Sequence, residues 1–242
     1  KRITIILFMT NKKKTAVLIV AAGSGLRAKS TEPKQYLKIG RKYILERTLE
    51  NFINNKMVDY ITVVINENHT SLYSSVCSKF TSKKLLPHCN GGETRSESVR
   101  KGLISISAYE VEKVLIHDAA RPFTSKKIIE ECIKGLDKYD VVLPGIRVTD
   151  TLWIKNKSNT QQNFVIGLGP DRDTLVRAQT PQAFNFKYIL ELHKNNQEAL
   201  SDDVHLAFQD AMKINIIEGS EKNFKITTPE DISLAEDLMK NV

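Results

Sequence analysis

The chain has 242 residues, of which 41% are hydrophobic and 26% charged, a balance that excludes both a disordered chain and a bundle of membrane helices. The formal net charge of +8 first suggests a polyanionic partner. However, residues 1–31 carry seven positive charges and no acidic residue, so the rest of the chain is nearly balanced. An extended nucleic-acid-binding surface is therefore not expected.

The three cysteines, Cys77, Cys89 and Cys132, have no Cys-x-x-Cys spacing. This number and spacing argue against a disulfide scaffold and a cysteine zinc site, and favour a reducing compartment.

The first 14 residues are predicted to be a basic tail outside a domain that spans residues 15–242. Their apolar run, Ile3–Met9, is too short to cross a bilayer, and no small-residue cleavage site follows it. We expect no membrane association. The expected location is the cytoplasm of a bacterium, or a plastid-like organelle if the N-terminus is a processed transit region.

Apolar runs that predict strands alternate with segments that carry apolar residues at helical spacing. In chain order these are a strand at Ala16–Ala22, a helix at Ile44–Phe52, a strand at Ile61–Ile65, a helix at Ser96–Ile106, a strand at Val114–His117, a helix at Ile128–Leu136, strands at Val141–Leu143 and Lys213–Ile217, and a helix at Pro229–Met239. This alternation predicts an α/β fold with a single doubly wound, mostly parallel, Rossmann-like sheet.

One stretch, about residues 147–175, breaks this alternation and is predicted to be a projecting β-hairpin arm. Its strands are Thr151–Lys155 and Phe164–Leu168, separated by a polar loop. Val165, Ile166 and Leu168 need burial that a hairpin alone does not provide. We therefore expect the arm to pack on a second copy of the chain, as a homodimer.

The segment Ala21–Arg27 follows the first strand and contains Gly23 and Gly25. Glycines let backbone N–H groups approach an anion, and Arg27 and the later Lys34 add cations, a combination suited to a polyphosphate. The segment is not a Walker loop, because no Gly-Lys-Ser/Thr is present. Since Ala28 is permitted in the dinucleotide fingerprint, a nucleotide-binding dehydrogenase remains an alternative.

Later motifs strengthen the phosphate interpretation because they occur in the order found in one family. They are Gly91–Val99, His117–Pro122, Asp150-Thr151, Asp171-Arg172 with Gln179–Gln182, and Lys225–Asp231. Together with the Gly-rich segment they resemble the 2-C-methyl-D-erythritol 4-phosphate cytidylyltransferases, within the sugar-nucleotide transferases, over about residues 15–240.

The resemblance implies that CTP and methylerythritol 4-phosphate react to give CDP-methylerythritol and pyrophosphate, in non-mevalonate isoprenoid biosynthesis, with Mg²⁺ as cofactor. It also implies a nucleotidyltransferase fold. The attacking phosphate has a second pKa of about 6, so it is ionised near pH 7 and needs no general base. Catalysis then requires positioning and charge neutralisation.

Residue roles follow from the same resemblance. Arg27, Lys34 and Lys225 are expected to be catalytic, through contacts with the CTP phosphates and the transition state. The expected CTP-binding residues are Ala22, Gly23, Gly92, Glu93, Ser98, Asp118 and Ala119. Those expected to bind methylerythritol phosphate are Arg121, Thr151, Arg172 and Thr180, with Arg172 reaching the partner subunit's site. Asp118 is also the expected metal ligand. His117 is expected to be structural.

Two positions depart from the family pattern: Glu93 stands where Asp is usual, and Ser201 where Thr is usual. A ribitol 5-phosphate cytidylyltransferase remains an alternative, although Ala120 favours methylerythritol phosphate as the substrate. A basic nucleic-acid-binding protein is a further alternative, and it predicts an affinity that survives removal of residues 1–14.

Overall fold

The structure, a computed structural model, describes residues 13–23, 32–156, 164–196, 200 and 202–240. In chain order the elements are β1 (Lys14–Ala21), β2 (Lys38–Ile39), β3 (Lys42–Tyr43), α1 (Ile44–Ile53), β4 (Tyr60–Ile65), α2 (Thr70–Cys77), β5 (Cys89–Asn90), α3 (Arg95–Ser105), β6 (Val111–Asp118), α4 (Lys126–Gly135), β7 (Val141–Arg147), β8 (Trp153–Lys155), β9 (Val165–Leu168), β10 (Val176–Ala178), β11 (Gln182–Asn185), α5 (Phe186–Asn195), α6 (Val204–Gln209), β12 (Ile214–Glu218) and α7 (Pro229–Lys240).

Eight strands form one mixed, mostly parallel sheet in the order β10-β7-β11-β6-β1-β4-β5, with β12 paired to β7. Strand β1 lies at its centre and runs parallel to both β4 and β6. Strand β11 is antiparallel to β6 and β7 and lies between them. The predicted α/β fold with a mostly parallel sheet is confirmed, and the predicted strands and helices are present at their expected places.

The sequence analysis did not predict β11 or the helices α2, α5 and α6. The segment Gln182–Asn185 has only two apolar residues, Ala183 and Phe184, between two polar ones, so it lacks the continuous apolar run of a buried parallel strand. Its backbone pairs on both sides with β6 and β7, and the side chains of Gln182, Ala183 and Phe184 are buried.

The core lies on both faces of the sheet because side chains alternate along β1. Val17 and Ile19 pack with residues of α1 and α4 on one face. Ala16 and Leu18 pack with residues of α3 and α5 on the other face. Helices on both faces leave the carboxyl ends of β1 and β6 open at one edge of the sheet, where ligands of doubly wound proteins bind.

The predicted arm is present as the two-stranded antiparallel hairpin β8–β9. Its apolar side chains are exposed: Trp153 by 60%, Val165 by 62%, and Ile166 and Leu168 by 65% each. Nothing within the described part of the chain covers these side chains. No helix among the described residues is both long and apolar enough to cross a membrane.

Candidate active site

A pocket of about 650 Å³ opens beside the carboxyl ends of β1 and β6. Among the described residues it is lined by Val20, Ala21, Ala22, Gly23, Lys34, Gln35, Asn66, Gly92, Glu93, Thr94, Arg95, Ser98, Asp118, Ala119, Ala120, Lys225 and Thr227. Because β1 and β6 are parallel neighbours, the residues that follow them meet at the same edge of the sheet.

One wall of the pocket is formed by the backbone that leads into α3. The hydroxyl of Ser98 accepts a hydrogen bond from the Gly92 N–H (3.0 Å) and donates one to the Thr94 carbonyl (2.9 Å). A Cβ atom on Gly91 would lie 2.4 Å from Cβ of Ala22, closer than such atoms approach. Glycine is therefore required for this wall to lie against the end of β1.

Glu97 fixes the same wall from its outer side. Its Oε2 accepts a hydrogen bond from the Glu93 N–H (2.9 Å), and a Cβ atom on Gly92 would lie 2.2 Å from its carboxyl carbon. The hydrogen bond from Glu93 and the contact with Lys101 lower the pKa of Glu97. Its carboxylate therefore stays ionised and holds residues 92 and 93 in place.

Asp118, the last residue of β6, is surrounded by three cations. Lys225 Nζ lies 2.9 Å and Arg121 Nε 3.5 Å from its Oδ2, and Arg95 Nε lies 3.7 Å from its Oδ1. Burial raises the pKa of Asp118, but attraction to Lys225, Arg95 and Arg121 outweighs burial and holds the pKa well below its usual range. The pocket thus contains a carboxylate that is ionised at neutral pH within a cationic cluster.

Lys34 reaches the pocket through a short 3₁₀ turn, Lys34–Tyr36, that follows Pro33. The next residue, Gln35, is buried, and its amide donates hydrogen bonds to the carbonyls of Ala21 (2.7 Å) and Gly23 (3.0 Å). Gln35 therefore fastens the turn to the end of β1 and sets the position from which Lys34 extends.

His117 and Thr180 form a buried hydrogen-bonded chain behind Asp118. The Asp118 N–H donates to Thr180 Oγ1 (3.1 Å), which lies 3.0 Å from His117 Nδ1, and His117 Nε2 lies 3.1 Å from the Arg121 carbonyl. Since a carbonyl only accepts, Nε2 carries the proton and the Thr180 hydroxyl donates to Nδ1. Burial lowers the pKa of His117 to about 4, so the ring is neutral at pH 7. This is the structural role expected from the sequence.

The pocket brings together nine of the predicted site residues: Ala22, Gly23, Lys34, Gly92, Glu93, Ser98, Asp118, Ala119 and Lys225. Four others do not line it. Arg121 lies against Asp118 and donates from Nη1 to the Asn223 carbonyl (2.7 Å), and Thr180 is 5% exposed. Thr151 and Arg172 stand on the arm side, where Arg172 Nη1 donates to the Thr149 carbonyl (2.7 Å). Arg27 and Ser201 lie outside the described residues.

Among the pocket residues that received no predicted role are Gln35 and Arg95. Arg95 lies inside the motif Gly91–Val99, and a positive charge three positions after two glycines was an available signal. Gln35 follows Lys34 directly, but nothing in a single sequence indicates that a glutamine turns back to the carbonyls of an earlier strand.

Comparisons with known proteins agree with this geometry. The profile of the family described as IspD, 2-C-methyl-D-erythritol 4-phosphate cytidylyltransferase, matches residues 15–241. The chain is 38% identical over 232 residues to the 2-C-methyl-D-erythritol 4-phosphate cytidylyltransferase of Clostridium botulinum (strain Loch Maree / Type A3). This match covers 95% of this chain and 99% of that protein. It is 41% identical over 226 residues to the bifunctional enzyme IspD/IspF of Wolbachia pipientis wMel.

The match to the Wolbachia protein covers 93% of this chain and 55% of that protein, so the chain spans about half the length of its bifunctional relatives. Among solved structures, the 4-diphosphocytidyl-2C-methyl-D-erythritol synthase of Anaerococcus prevotii DSM 20548 superimposes with a TM-score of 0.80 at 28% identity, over 94% of this chain and 96% of that one. The prediction made from the motifs is thus confirmed: the chain belongs to the 2-C-methyl-D-erythritol 4-phosphate cytidylyltransferase family of nucleotidyltransferases.

Proposed function

We propose that this chain transfers the cytidylyl group of CTP to 2-C-methyl-D-erythritol 4-phosphate and releases pyrophosphate, in non-mevalonate isoprenoid biosynthesis. The observation that carries the proposal is the arrangement of the pocket. The pocket is lined by the backbone at Gly92, by the cations Lys34 and Lys225 and by the carboxylate of Asp118 at the end of β6. This arrangement suits a nucleoside triphosphate, with the base at the wall and the phosphates at the lysines.

The reaction forms one bond and breaks one. A phosphate oxygen of methylerythritol phosphate attacks the α-phosphorus of CTP, and the bond from that phosphorus to the bridging oxygen of the β-phosphate breaks. Pyrophosphate carries away the electron pair. The nucleophile is already ionised near pH 7, since its second pKa is about 6. The protein therefore has to align two anions and neutralise the charge that develops between them.

Lys34 and Lys225 neutralise the α-phosphate and the leaving pyrophosphate, together with Arg27. Lys225 pairs with Asp118 in this structure, and its side chain is 38% exposed at the pocket, so the ammonium can turn toward a phosphate. Lys34 extends from the turn that Gln35 fastens to β1.

The cytosine and ribose are bound by Ala22, Gly23, Gly92, Glu93, Ser98, Asp118 and Ala119. Ser98 Oγ already accepts one hydrogen bond and donates another, yet a hydroxyl oxygen has a second lone pair. The exocyclic amino group of cytosine donates hydrogen bonds, whereas the corresponding oxygen of uracil only accepts them. Ser98 therefore favours the amino group at this place.

Methylerythritol phosphate is bound by Arg121, Thr151 and Arg172, and Thr180 supports this site. For Thr180 the geometry favours an indirect role, because its buried hydroxyl is engaged with Asp118 and His117. Thr151 and Arg172 stand on the arm and serve the site of a second copy of the chain.

The active form is a homodimer that buries the arm. The exposed side chains Trp153, Val165, Ile166 and Leu168 support this proposal, since they make a contiguous apolar strand pair that the single chain leaves in water. The second copy supplies the burial, and the arm brings Arg172 to its site.

Mg²⁺ is the proposed cofactor, held by Asp118 together with the nucleotide. The described residues contain no group of three or more His, Cys, Asp or Glu side chains that could hold a metal by themselves. A single carboxylate nevertheless fits Mg²⁺, which keeps several waters and takes its other ligands from substrate phosphates. When bound, the ion supplies neutralisation of phosphate charge.

We further propose that the protein works in the cytoplasm of a bacterium. The three cysteines support a reducing compartment, because Cys77, Cys89 and Cys132 are all free thiols. A plastid-like organelle is the alternative location.

Pyrophosphate release with CTP and a panel of polyol phosphates tests the proposal. Turnover with methylerythritol 4-phosphate, and little with ribitol 5-phosphate, is expected. Activity with ribitol 5-phosphate alone would replace the proposed substrate. Binding of NAD(P) in a titration, with no binding of CTP, would favour a dehydrogenase.

A further inference from the structure

A buried series of charged and polar side chains runs from the pocket into the interior. Beyond the contact between Arg95 and Asp118, Arg95 Nη1 lies 2.7 Å from Oδ2 of Asp203, and Asp203 Oδ1 lies 3.1 Å from His193 Nε2. Arg95 and Asp118 line the pocket. Asp203 and His193 are 2% and 1% exposed and lie behind it. These two buried residues have no part in the proposed chemistry.

The ion pair between Arg95 and Asp203 is a strong restraint because both groups stay charged. Burial raises the pKa of Asp203, but attraction to Arg95 and the hydrogen bond with His193 outweigh burial and lower it. Burial likewise lowers the pKa of Arg95, but attraction to Asp203 and Asp118 raises it above its ordinary value. A buried charge that loses its partner is costly, so Arg95 is held where Asp203 places it.

The positions of these residues in the fold connect three elements of the site. Arg95 is the first residue of α3, three positions after Gly92 and one turn before Ser98. Asp203 immediately precedes α6, and His193 lies on α5. The ion pair thus fastens the start of α3 to α5 and α6, while the same guanidinium restrains Asp118 at the end of β6.

We propose that Asp203 is a positioning residue for nucleotide binding, which acts through Arg95 on Asp118 and on the wall at the start of α3, with His193 as its second anchor. Asp203 itself touches no substrate. The proposal rests on the proposed function in one respect, namely that CTP is the nucleotide that the pocket binds.

The neighbouring Asp202 provides a matched control. Its Oδ1 accepts a hydrogen bond from the Val204 N–H and its Oδ2 one from the Gln182 amide, each at 2.8 Å. Asp202 therefore fastens the start of α6 to β11 and forms no ion pair with Arg95. Asp202→Asn keeps the shape of the side chain and one acceptor, for the Val204 N–H, at the same helix terminus.

A double-mutant cycle tests the proposal, with the affinity for CTP measured by titration calorimetry on the full chain. Arg95→Met and Asp203→Asn are each expected to weaken CTP binding by about 10-fold or more. In the double variant the Asp203 change is expected to add less than about 2-fold, because its effect passes through Arg95. Asp202→Asn should stay within about 2-fold of the unchanged chain.

The proposal would be overturned if the loss of CTP affinity in the double variant equalled the product of the two single losses. It would also be overturned if Asp203→Asn bound CTP with unchanged affinity. Circular dichroism and a thermal scan check the fold of each variant. If Asp203→Asn does not fold, Asp203→Glu, which keeps the charge but displaces it by one methylene, replaces it with the same expected coupling. If neither folds, Asp203 belongs to the fold and the proposal fails. Absence of CTP binding by the unchanged chain would instead contradict the proposed function.

Discussion

The ammonium nitrogen of Lys225 lies 2.9 Å from Oδ2 of Asp118, so the last residue of β6 and the segment before α7 are joined across the pocket. Lys225 follows α6 and β12 in the chain, more than a hundred residues after Asp118. The ion pair therefore depends on the completed fold, and it places a cation beside the pocket in which the triphosphate is proposed to bind.

Loss of either pocket lysine is expected to slow the chemical step. Lys34→Ala and Lys225→Met should each lower kcat by about 10²- to 10³-fold or more, because each removes a cation that neutralises charge developing in the transition state. Single-turnover kinetics with CTP and methylerythritol phosphate measure the step directly, and circular dichroism checks the fold.

Two exposed lysines close in sequence serve as controls. Lys38 follows Lys34 by four residues and lies over the Tyr43 ring, and Lys222 precedes Lys225 by three. Lys38→Ala and Lys222→Met should leave kcat nearly unchanged. Near-normal turnover of Lys34→Ala would remove Lys34 from the mechanism.

The backbone wall at Gly91 is expected to admit no side chain. In Gly91→Ala the new Cβ would lie 2.4 Å from Cβ of Ala22 and 2.8 Å from Ser98 Oγ, so the wall must shift at the place proposed for cytosine. The KM for CTP should rise by about 10-fold or more, which corresponds to about 1.4 kcal/mol. Steady-state kinetics measure it.

If Gly91→Ala folds and binds CTP with unchanged affinity, the base does not lie against this wall.

The buried ring of His117 is expected to make stability depend on pH. Its pKa of about 4 in the folded chain lies below the ordinary 6.5, so the unfolded chain binds more protons between these values. The contribution of the neutral His117 ring to the free energy of unfolding is complete above pH 6.5. It is lost as the pH falls toward 4, which lowers the free energy of unfolding by roughly 3 kcal/mol. Urea unfolding at several pH values measures the effect.

His117→Asn removes this titration and should flatten the dependence of the unfolding free energy on pH in the same interval, although it lowers stability at pH 7. An equally steep dependence in His117→Asn would show that other groups cause it.

The exposed side of the arm is expected to hold two copies together. Ile166→Asp places a charge on a side chain that is 65% exposed in the single chain and proposed to be buried between copies. Light scattering should show a shift from dimer to monomer. Phe208→Asp, on α6 and 71% exposed, is the control and should leave the dimer intact. A dimer unaffected by Ile166→Asp would exclude the arm as the interface.

The sequence predicted the regular part of the fold well because its signals are local. The apolar run of β1 and the helical spacing of Leu45, Leu49 and Phe52 each specify one element without reference to the rest. Strand β11 was missed because a four-residue antiparallel strand acquires its identity from β6 and β7, its partners on either side.

The residues of the candidate site likewise fall into those that a local motif indicates and those that depend on contacts between distant segments. Motifs with glycine and charged residues indicated Lys34, Gly92, Asp118 and Lys225, which do line one pocket. The role of Gln35 depends on two carbonyls at the end of β1, a contact that no local pattern encodes.

Arg95 and Asp203 are separated by 108 positions, and their ion pair exists only because α3, α5 and α6 pack against one face of the sheet. Thr180, in contrast, lies in a motif that the sequence analysis recognised. The motif resemblance assigned it to the substrate site, and the structure adds that its hydroxyl is engaged with Asp118 and His117, a contact that the motif does not indicate.

The most direct test of the central claim follows labelled phosphorus through the reaction. Incubation with methylerythritol 4-phosphate and CTP labelled at the α-phosphorus should place the label in CDP-methylerythritol, and label at the γ-phosphorus should appear in pyrophosphate. Label from the α-position in any phosphate-containing product other than CDP-methylerythritol, or no transfer at all, would contradict attack of the polyol phosphate on the α-phosphorus of CTP.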